Sequence, residues 1–419
     1  MFGILFPLWL MVFTAASQTI IVTPILPIIG DALNIPDASR GLLVSIYSGT
    51  LAAAALVMGP VSDRIGRRQV MLIGSGALVV VLIGHALVQT FAGMLVVRAL
   101  AGAAGGLLSG AAVSYVGDYF PYARRGWATG WVMSGVSFGL VLGIPLGRML
   151  AAAAGFRLPF LVFAVLMAIS FVLIWLLVPQ PDIERDKTRV TVLGTMRRYR
   201  DLLSGRAVQA ASATYFLMYF SLGLLVVYLP QWLTANFSLV VEVAGRPLAI
   251  GGMPIDFIAA LFLVGGVVSV AVGPAAGTLS DTIGRKPLII LSCIGLAIVT
   301  VALTYVVTER WIAYPVYIAI MVFFAMRMSP LQALLTGLVP DKLRGTLLSL
   351  AIAVGQVGTG LGAGLSGMLY AGAGYRASTL ASGAAIALLA WLVWRFLPEP
   401  ESARARQARL AAEEATLLG

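Results

Sequence analysis

The sequence has too little charge for a soluble protein. Asp, Glu, Lys and Arg make up 11% of its 419 residues, whereas soluble domains carry roughly 25%. Hydrophobic residues make up 60% and the mean hydropathy is +0.98, so the chain cannot clothe a water-facing surface. Cysteine and histidine occur once each, as Cys293 and His85. This excludes an intrachain disulfide, a cysteine cluster and a multi-histidine metal site, and both residues read as packing residues. No G-x-x-x-x-G-K-[ST] loop is present to cradle a nucleotide. Nothing resembles a nucleophile–base–acid set, so neither an ATP-driven machine nor an enzyme is indicated. No cofactor or metal is called for.

What fills the chain is long apolar runs. Spanning hydrocarbon takes about 20 mostly apolar residues as helix, because backbone polar groups must be satisfied within the segment. Runs of that length fall at 5–29, 40–60, 69–90, 93–117, 127–152 and 158–178, then at 208–233, 257–280, 287–307, 312–338, 346–371 and 376–397. Barrel strands would be about 10 residues of alternating polarity, so these runs exclude a barrel. The expected fold is an all-α integral membrane protein of twelve transmembrane helices. Residues 1–178 form one six-helix bundle and 207–398 a second, with a linker at 179–206 and a tail at 399–419. The apolar N-terminus lacks a basic leading region and runs on past signal-peptide length, so it reads as an uncleaved first helix.

The formal net charge of +11 would suggest nucleic acid in a soluble chain, but here it reflects topology. With both termini on the cytoplasmic side, inner loops and tail hold 20 Lys and Arg and outer loops hold 5. Basic residues favour the cytoplasmic side, which orients the chain in a plasma membrane, for a bacterium the inner membrane. The linker from Arg189 to Arg206 reads equally as a basic amphipathic helix on the anionic leaflet or as a solvated tether.

A charged, glycine-bearing hinge, Gly59-Pro-Val-Ser-Asp63-Arg64-Ile-Gly66-Arg67-Arg68, interrupts the apolar runs and recurs as Gly277-Thr-Leu-Ser-Asp281-Thr-Ile-Gly284-Arg285-Lys286, 218 positions later. Gly155-Phe-Arg157 recurs as Gly374-Tyr-Arg376, and Arg125-Gly126 as Arg344-Gly345, each 219 later. An offset of six helices brings both copies into the membrane from the same side. The halves are therefore a parallel repeat about an axis along the membrane normal.

The hinge resembles the loop signature G-x-L-A-D-R-x-G-R-R/K of the major facilitator superfamily, and the resemblance covers essentially the whole chain. It implies two six-helix bundles rocking about a midplane cavity. It also implies a conformational latch between the halves, holding only in the outward-open state. Asp63 would meet the start of helix eleven near Gly345, and Arg67 would pair with Asp118. Gly59, Arg64, Gly66 and the second copy, Gly277, Asp281, Gly284 and Arg285, belong to the same device. A topology-setting basic loop is the plainer reading.

Helix five carries Gly139, Gly143, Pro145 and Gly147, a small-xxx-small packing pattern that also resembles the helix-five signature of proton-coupled exporters, with Ile144 interrupting the usual Gly-Pro pair. Arg98 in helix four resembles the family's arginine implicated in proton handling, against a snorkelling alternative. Arg327 in helix ten has no acid within a turn; it either pairs with a distant helix or faces the cavity, and the cavity is the expectation. Gln18, Thr19, Tyr215, Tyr219 and Gln356 are candidate substrate contacts, each equally a helix–helix contact. Helix one has no carboxylate; Asp31, Glu242 and Asp256 sit near outer ends and Asp118 near the inner end. The reading is secondary transport of a small organic solute by alternating access, as proton-coupled efflux of drugs or metabolites and hence drug resistance. Sugar or nucleoside export and lipid flipping are the alternatives. The expected partners are substrate, protons and the bilayer, with no nucleic acid, the chain acting as a monomer.

Overall fold

The computed structural model describes residues 2–180, 197, 199–243, 246–247, 249–250, 253–336 and 344–397. The tail at 399–419 and half of the linker segment read as an amphipathic helix, 189–196 and 198, lie outside them.

Among the described residues, twelve helices are long and apolar enough to span a membrane. They are α1 Phe2–Ile20, α2 Asp37–Val57, α3 Arg67–Leu87, α4 Phe91–Tyr119, α5 Arg124–Ala154 and α6 Arg157–Leu177. The second six are α7 Arg206–Asn236, α8 Phe257–Ser280, α9 Arg285–Val306, α10 Arg310–Gln332, α11 Ser349–Ala373 and α12 Tyr375–Phe396. The ends match the apolar runs to within a few residues, except at α1. There the run expected to reach 29 breaks at Ile21 and resumes as a shorter helix, Val22–Ala32. Pro24 and Pro27 follow the break; each lacks an N–H, which removes rungs from the helical ladder. Between α7 and α8, Glu242–Val243 pairs antiparallel with Arg246–Pro247, and Ala249–Ile250 with Met253–Pro254.

The packing repeats as the sequence does. In the first bundle α1 packs on α5 and α6, α3 on α4 and α6, and α2 on α4. In the second, α7 packs on α11 and α12, α9 on α10 and α12, and α8 on α10. Each pair is the other shifted by six helices. The landmarks repeat in backbone geometry too. Gly66 has φ 100° and ψ 143°, and Gly284 has φ 97° and ψ 147°. This region is essentially open only to glycine, so the hinge glycines are fixed by the turn that reverses the chain into α3 and α9. Gly155 and Gly374 sit at φ 80° and 73° at the corresponding turns into α6 and α12. The basic residue after each hinge also repeats its bond. Arg68 donates to the Trp175 carbonyl at 2.7 Å, and Lys286 to the Leu397 carbonyl at 3.0 Å.

Helices in lipid gain nothing from hydrophobicity against one another and associate through close packing of small residues. On α5, Gly135, Gly139, Gly143 and Gly147 face α1; a methyl at Gly139 would sit 3.2 Å from Ala16 Cβ, and one at Gly143 would overlap the Ser17 hydroxyl. The equivalent seam, α7 on α11, is built the same way, with Gly355 against the Tyr219 ring and Gly358 against the Phe216 carbonyl. Between Phe138 and Ile144, α5 widens into a π-turn over Gly139–Gly143. Pro145 follows and cannot supply the next amide donor, and wide turns of this kind re-seat the ladder.

The two bundles meet along α2 with α11 and α5 with α8. Two faces are distinguished below: the hinge face, where α2, α4, α8 and α10 end, and the opposite face.

Candidate functional site

The core of the first bundle holds a cation without a carboxylate. Arg98 is 1% exposed, its Nε donates to the Leu43 carbonyl at 3.1 Å, and its guanidinium lies 4.2 Å from the centre of the Tyr47 ring. That burial rules out snorkelling. Helix insertion scales charge about 2.5–3.5 kcal/mol for an arginine at mid-span, and a desolvated cation–π contact returns about 2 kcal/mol. The Tyr47 hydroxyl accepts from Gln18 Nε2 at 3.0 Å and shares a short hydrogen bond with Thr19. Gln18, Thr19 and Arg98, named separately from sequence, thus join through Tyr47, which sequence reasoning missed. Its signal was a single aromatic residue in α2. Arg98 Nη1 and Gln18 Oε1 have no hydrogen-bond partner among the described residues. His85 packs, as read: its ring stacks on Phe160 at 4.4 Å and Nδ1 meets the Val81 carbonyl at 2.8 Å.

Arg327 departs from expectation. It is 1% exposed rather than facing an aqueous cavity. Its Nη1 lies 4.0 Å from Cys293 Sγ on α9 and its guanidinium 5.3 Å from the centre of the Phe324 ring. The soft sulfur and the ring face substitute for a counter-ion that neither helix supplies. The Tyr215 and Tyr219 rings lie 6.3 Å apart. Gln356 is half-buried beside Gly355 on α11.

At the hinge, Arg67 Nε donates to Asp118 Oδ2 at 3.0 Å, both side chains part-buried. The pair joins the start of α3 to the end of α4 within one bundle, so it does not bridge the halves as a latch would. It is also made while the bundles are bonded together at the opposite face. The side chains of Gly59, Asp63, Arg64 and Asp281 and the start of α11 lie outside the described side chains. Gly277 approaches α10, where a methyl would sit 3.0 Å from Ser329 Oγ, and Arg285 heads α9.

The bonds across the seam gather at the opposite face. Arg148 of α5, 3% exposed, donates to Asp256 Oδ2 at 2.6 Å and to the Pro24 carbonyl at 2.8 Å. Asp256 also caps α8, its Oδ1 accepting from Ala259 N at 2.8 Å. On the other seam Arg40 pairs with Asp31 at 2.7 Å and Asp37 at 3.1 Å, and donates to Gln231 of α7 at 2.7 Å. Gln231 donates back to Asp37 at 3.0 Å, and the Tyr228 hydroxyl accepts from Gly41 N at 2.8 Å. Sequence reasoning placed Asp256 near an outer helix end and named no partner for it. Only a register between α5 and α8 could have supplied one.

Among the described residues, twelve spanning helices in two repeated bundles that meet along a bonded seam form the architecture of a membrane transporter. The comparisons with known proteins agree. The Major Facilitator Superfamily model matches residues 8–255 and again 211–419, and the chain belongs to that superfamily. It is 25% identical over 385 residues to the multidrug resistance protein MdtG of Proteus mirabilis (strain HI4320), covering 89% of this chain and 90% of that protein. It is 23% identical to the MFS-type transporter YceJ of Bacillus subtilis (strain 168), covering 87% and 89%. Among solved structures, a D-xylose–proton symporter superposes with a TM-score of 0.75 at 18% identity, covering 95% of this chain and 98% of that one. The human organic anion transporter MFSD10 superposes at 0.68 and 16%, covering 93% and 99%. At such identities the structural likeness carries the fold alone.

Proposed function

We propose that this chain is a proton-coupled exporter of small organic solutes, working by alternating access with its hinge face and both termini in the cytoplasm. The observation that carries the reading is the cross-bundle ion pair Arg148–Asp256 at 2.6 Å. It ties the moving halves together at the opposite face, so a conformer open there has to break it. Coupling to protons rests on the resemblance of Gly139–Gly147 to the helix-five signature of proton-coupled exporters, since helix one has no carboxylate. Efflux is supported by the MdtG relatives, by the basic residues on the hinge face and by the glycine stretch from Gly139 to Gly147. The buried cluster around Tyr47 and Arg98 bears on the solute, its unpaired guanidinium nitrogen suiting a polar or anionic group once α1 and α2 move.

Arg67–Asp118 joins α3 to α4 and so stiffens the first bundle as it swings. A sugar exporter is the second reading, favoured by the hydroxyl- and amide-rich set Gln18, Thr19 and Tyr47. Thermal-shift screening of purified protein separates the two, since a ligand stabilises by RT ln(1 + [L]/Kd). Hits confined to sugars or nucleosides would overturn the drug reading. In proteoliposomes, confirmed transport with no accompanying proton movement would overturn the coupling.

A further inference from the structure

The seam between α2 and α11 opens to the membrane as a groove of about 440 Å³. Leu42, Ser45 and Gly49 form one wall; the other runs along α11 from Val357 to Met368. Both walls lie in the half of the membrane nearest the opposite face, beside the contact that joins the two bundles. The groove offers no free polar group, since the Ser45 hydroxyl donates to the Gly360 carbonyl at 2.5 Å. Its rim is apolar and exposed, with Leu361 at 56% and Met368 at 67%.

Its width limits what fits. Val357 to Met368 is twelve residues, eleven rises or about 16 Å of helix at 1.5 Å each, so a volume of about 440 Å³ gives a mean cross-section of about 27 Å². A helix of 10–12 Å diameter needs roughly 80–110 Å², so a neighbouring transmembrane helix cannot seat in it. A single methylene chain can. Gly49 supplies the room, since a methyl built on it meets nothing within 4 Å. Gly360 and Gly364, by contrast, lie close to Ser45 and serve the helix contact.

We propose that this groove is a binding site for one acyl chain of a membrane phospholipid, held against both bundles at once. The driving force is contact rather than hydrophobicity, because lipid tails are already in an apolar medium and only closer packing distinguishes the groove from the open bilayer. Because one wall belongs to each moving half, the site exists in this arrangement of the bundles and is dismantled when they separate. A bound chain therefore favours this arrangement, as any ligand favours the state that holds its site.

The test uses the full chain in phosphatidylethanolamine–phosphatidylglycerol nanodiscs containing a phospholipid with a photoactivatable group on one acyl chain, with labelled peptides mapped by mass spectrometry. Labelling of residues 42–49 and 357–368 should exceed that of the comparably exposed face Ile294–Ile298 of α9 roughly fivefold, which corresponds to about 1 kcal/mol at 1.4 kcal/mol per tenfold. Gly49→Phe, which fills the groove from the α2 wall, should abolish the excess, and so should Leu361→Trp from the other wall. Each variant is scored only if its circular dichroism and gel-filtration profile match the wild type. Even labelling over all lipid-facing helices would overturn the proposal. So would an excess that survives both folded variants, or cross-links from this seam to a second copy of the chain.

Discussion

Replacing Asp256 with Asn isolates the seam ion pair from everything else Asp256 does. The carboxylate has two jobs, pairing with Arg148 at 2.6 Å and capping α8 through Ala259 N at 2.8 Å. Asparagine caps as well as aspartate, so α8 is kept and only the charge is lost. Arg148 is 3% exposed and Asp256 13%, so the surviving guanidinium cannot turn to water. Removing one member of a buried pair costs about 3–5 kcal/mol. The amide oxygen still accepts one hydrogen bond, so about 2 kcal/mol of that is lost, a factor of about 30 at 1.4 kcal/mol per tenfold. The loss falls only on the arrangement in which the seam is closed. A conformer open at the opposite face and populated at about 1% should therefore rise to about a quarter. Spin labels at Ala154 and Glu309, exposed on the two bundles at that face, report the change by double electron–electron resonance in a Cys293→Ser background. The longer-distance fraction should grow. Identical distance distributions for Asp256→Asn and its parent would refute the reasoning, because the pair would then contribute nothing to closure.

Three further outcomes follow from the same geometry. Gly66→Ala and Gly284→Ala each place a side chain in a backbone region that costs about 1–3 kcal/mol, so both should lower the apparent Tm of the purified protein, and by similar amounts if the hinges are true repeats. Tyr47→Phe keeps the ring beneath Arg98 but removes one of the two acceptors of the Gln18 amide, the other being Thr19 Oγ1 at 3.1 Å, a loss of about 1 kcal/mol for one buried hydrogen bond; transport into inverted vesicles should fall at unchanged expression, and full activity would remove the cluster from the pathway. Asp118→Asn should cost about 1 kcal/mol, as part-exposed pairs do, seen as a small drop in apparent Tm; an effect on the Ala154–Glu309 distance larger than that of Asp256→Asn would restore the hinge pair as a latch between halves.

The repeat gives the molecule its economy of design. A parallel repeat uses one set of helix contacts twice, and the same glycine-seamed packing recurs in α1 on α5 and α7 on α11. The seam between the bundles has no such template. It is where the two halves differ, and its polar contacts are unlike one another: Arg148 with Asp256 on one side, Arg40 with Gln231 and Tyr228 with Gly41 on the other.

Much of the architecture is dictated along the chain. Spanning helices satisfy their backbone within twenty or so consecutive residues, so apolar length alone locates them. Gly66 and Gly284 mark chain reversals because their backbone angles exclude other residues. An offset of six helices makes the two bundles parallel copies. What the tertiary structure decided is which polar groups meet. Gln18 and Thr19 on α1 and Arg98 on α4 have nothing local to connect them, and Tyr47 on α2 joins them. Arg327 has no acid nearby in sequence, which suggested water; folding instead set it beside Cys293, 34 positions away. Arg148 and Asp256 are 108 positions apart, and only the register of α5 against α8 brings them together. Local sequence sets helix length and turns because those depend on neighbours in the chain. Pairing across helices depends on rotation and register, which the packing of whole bundles determines.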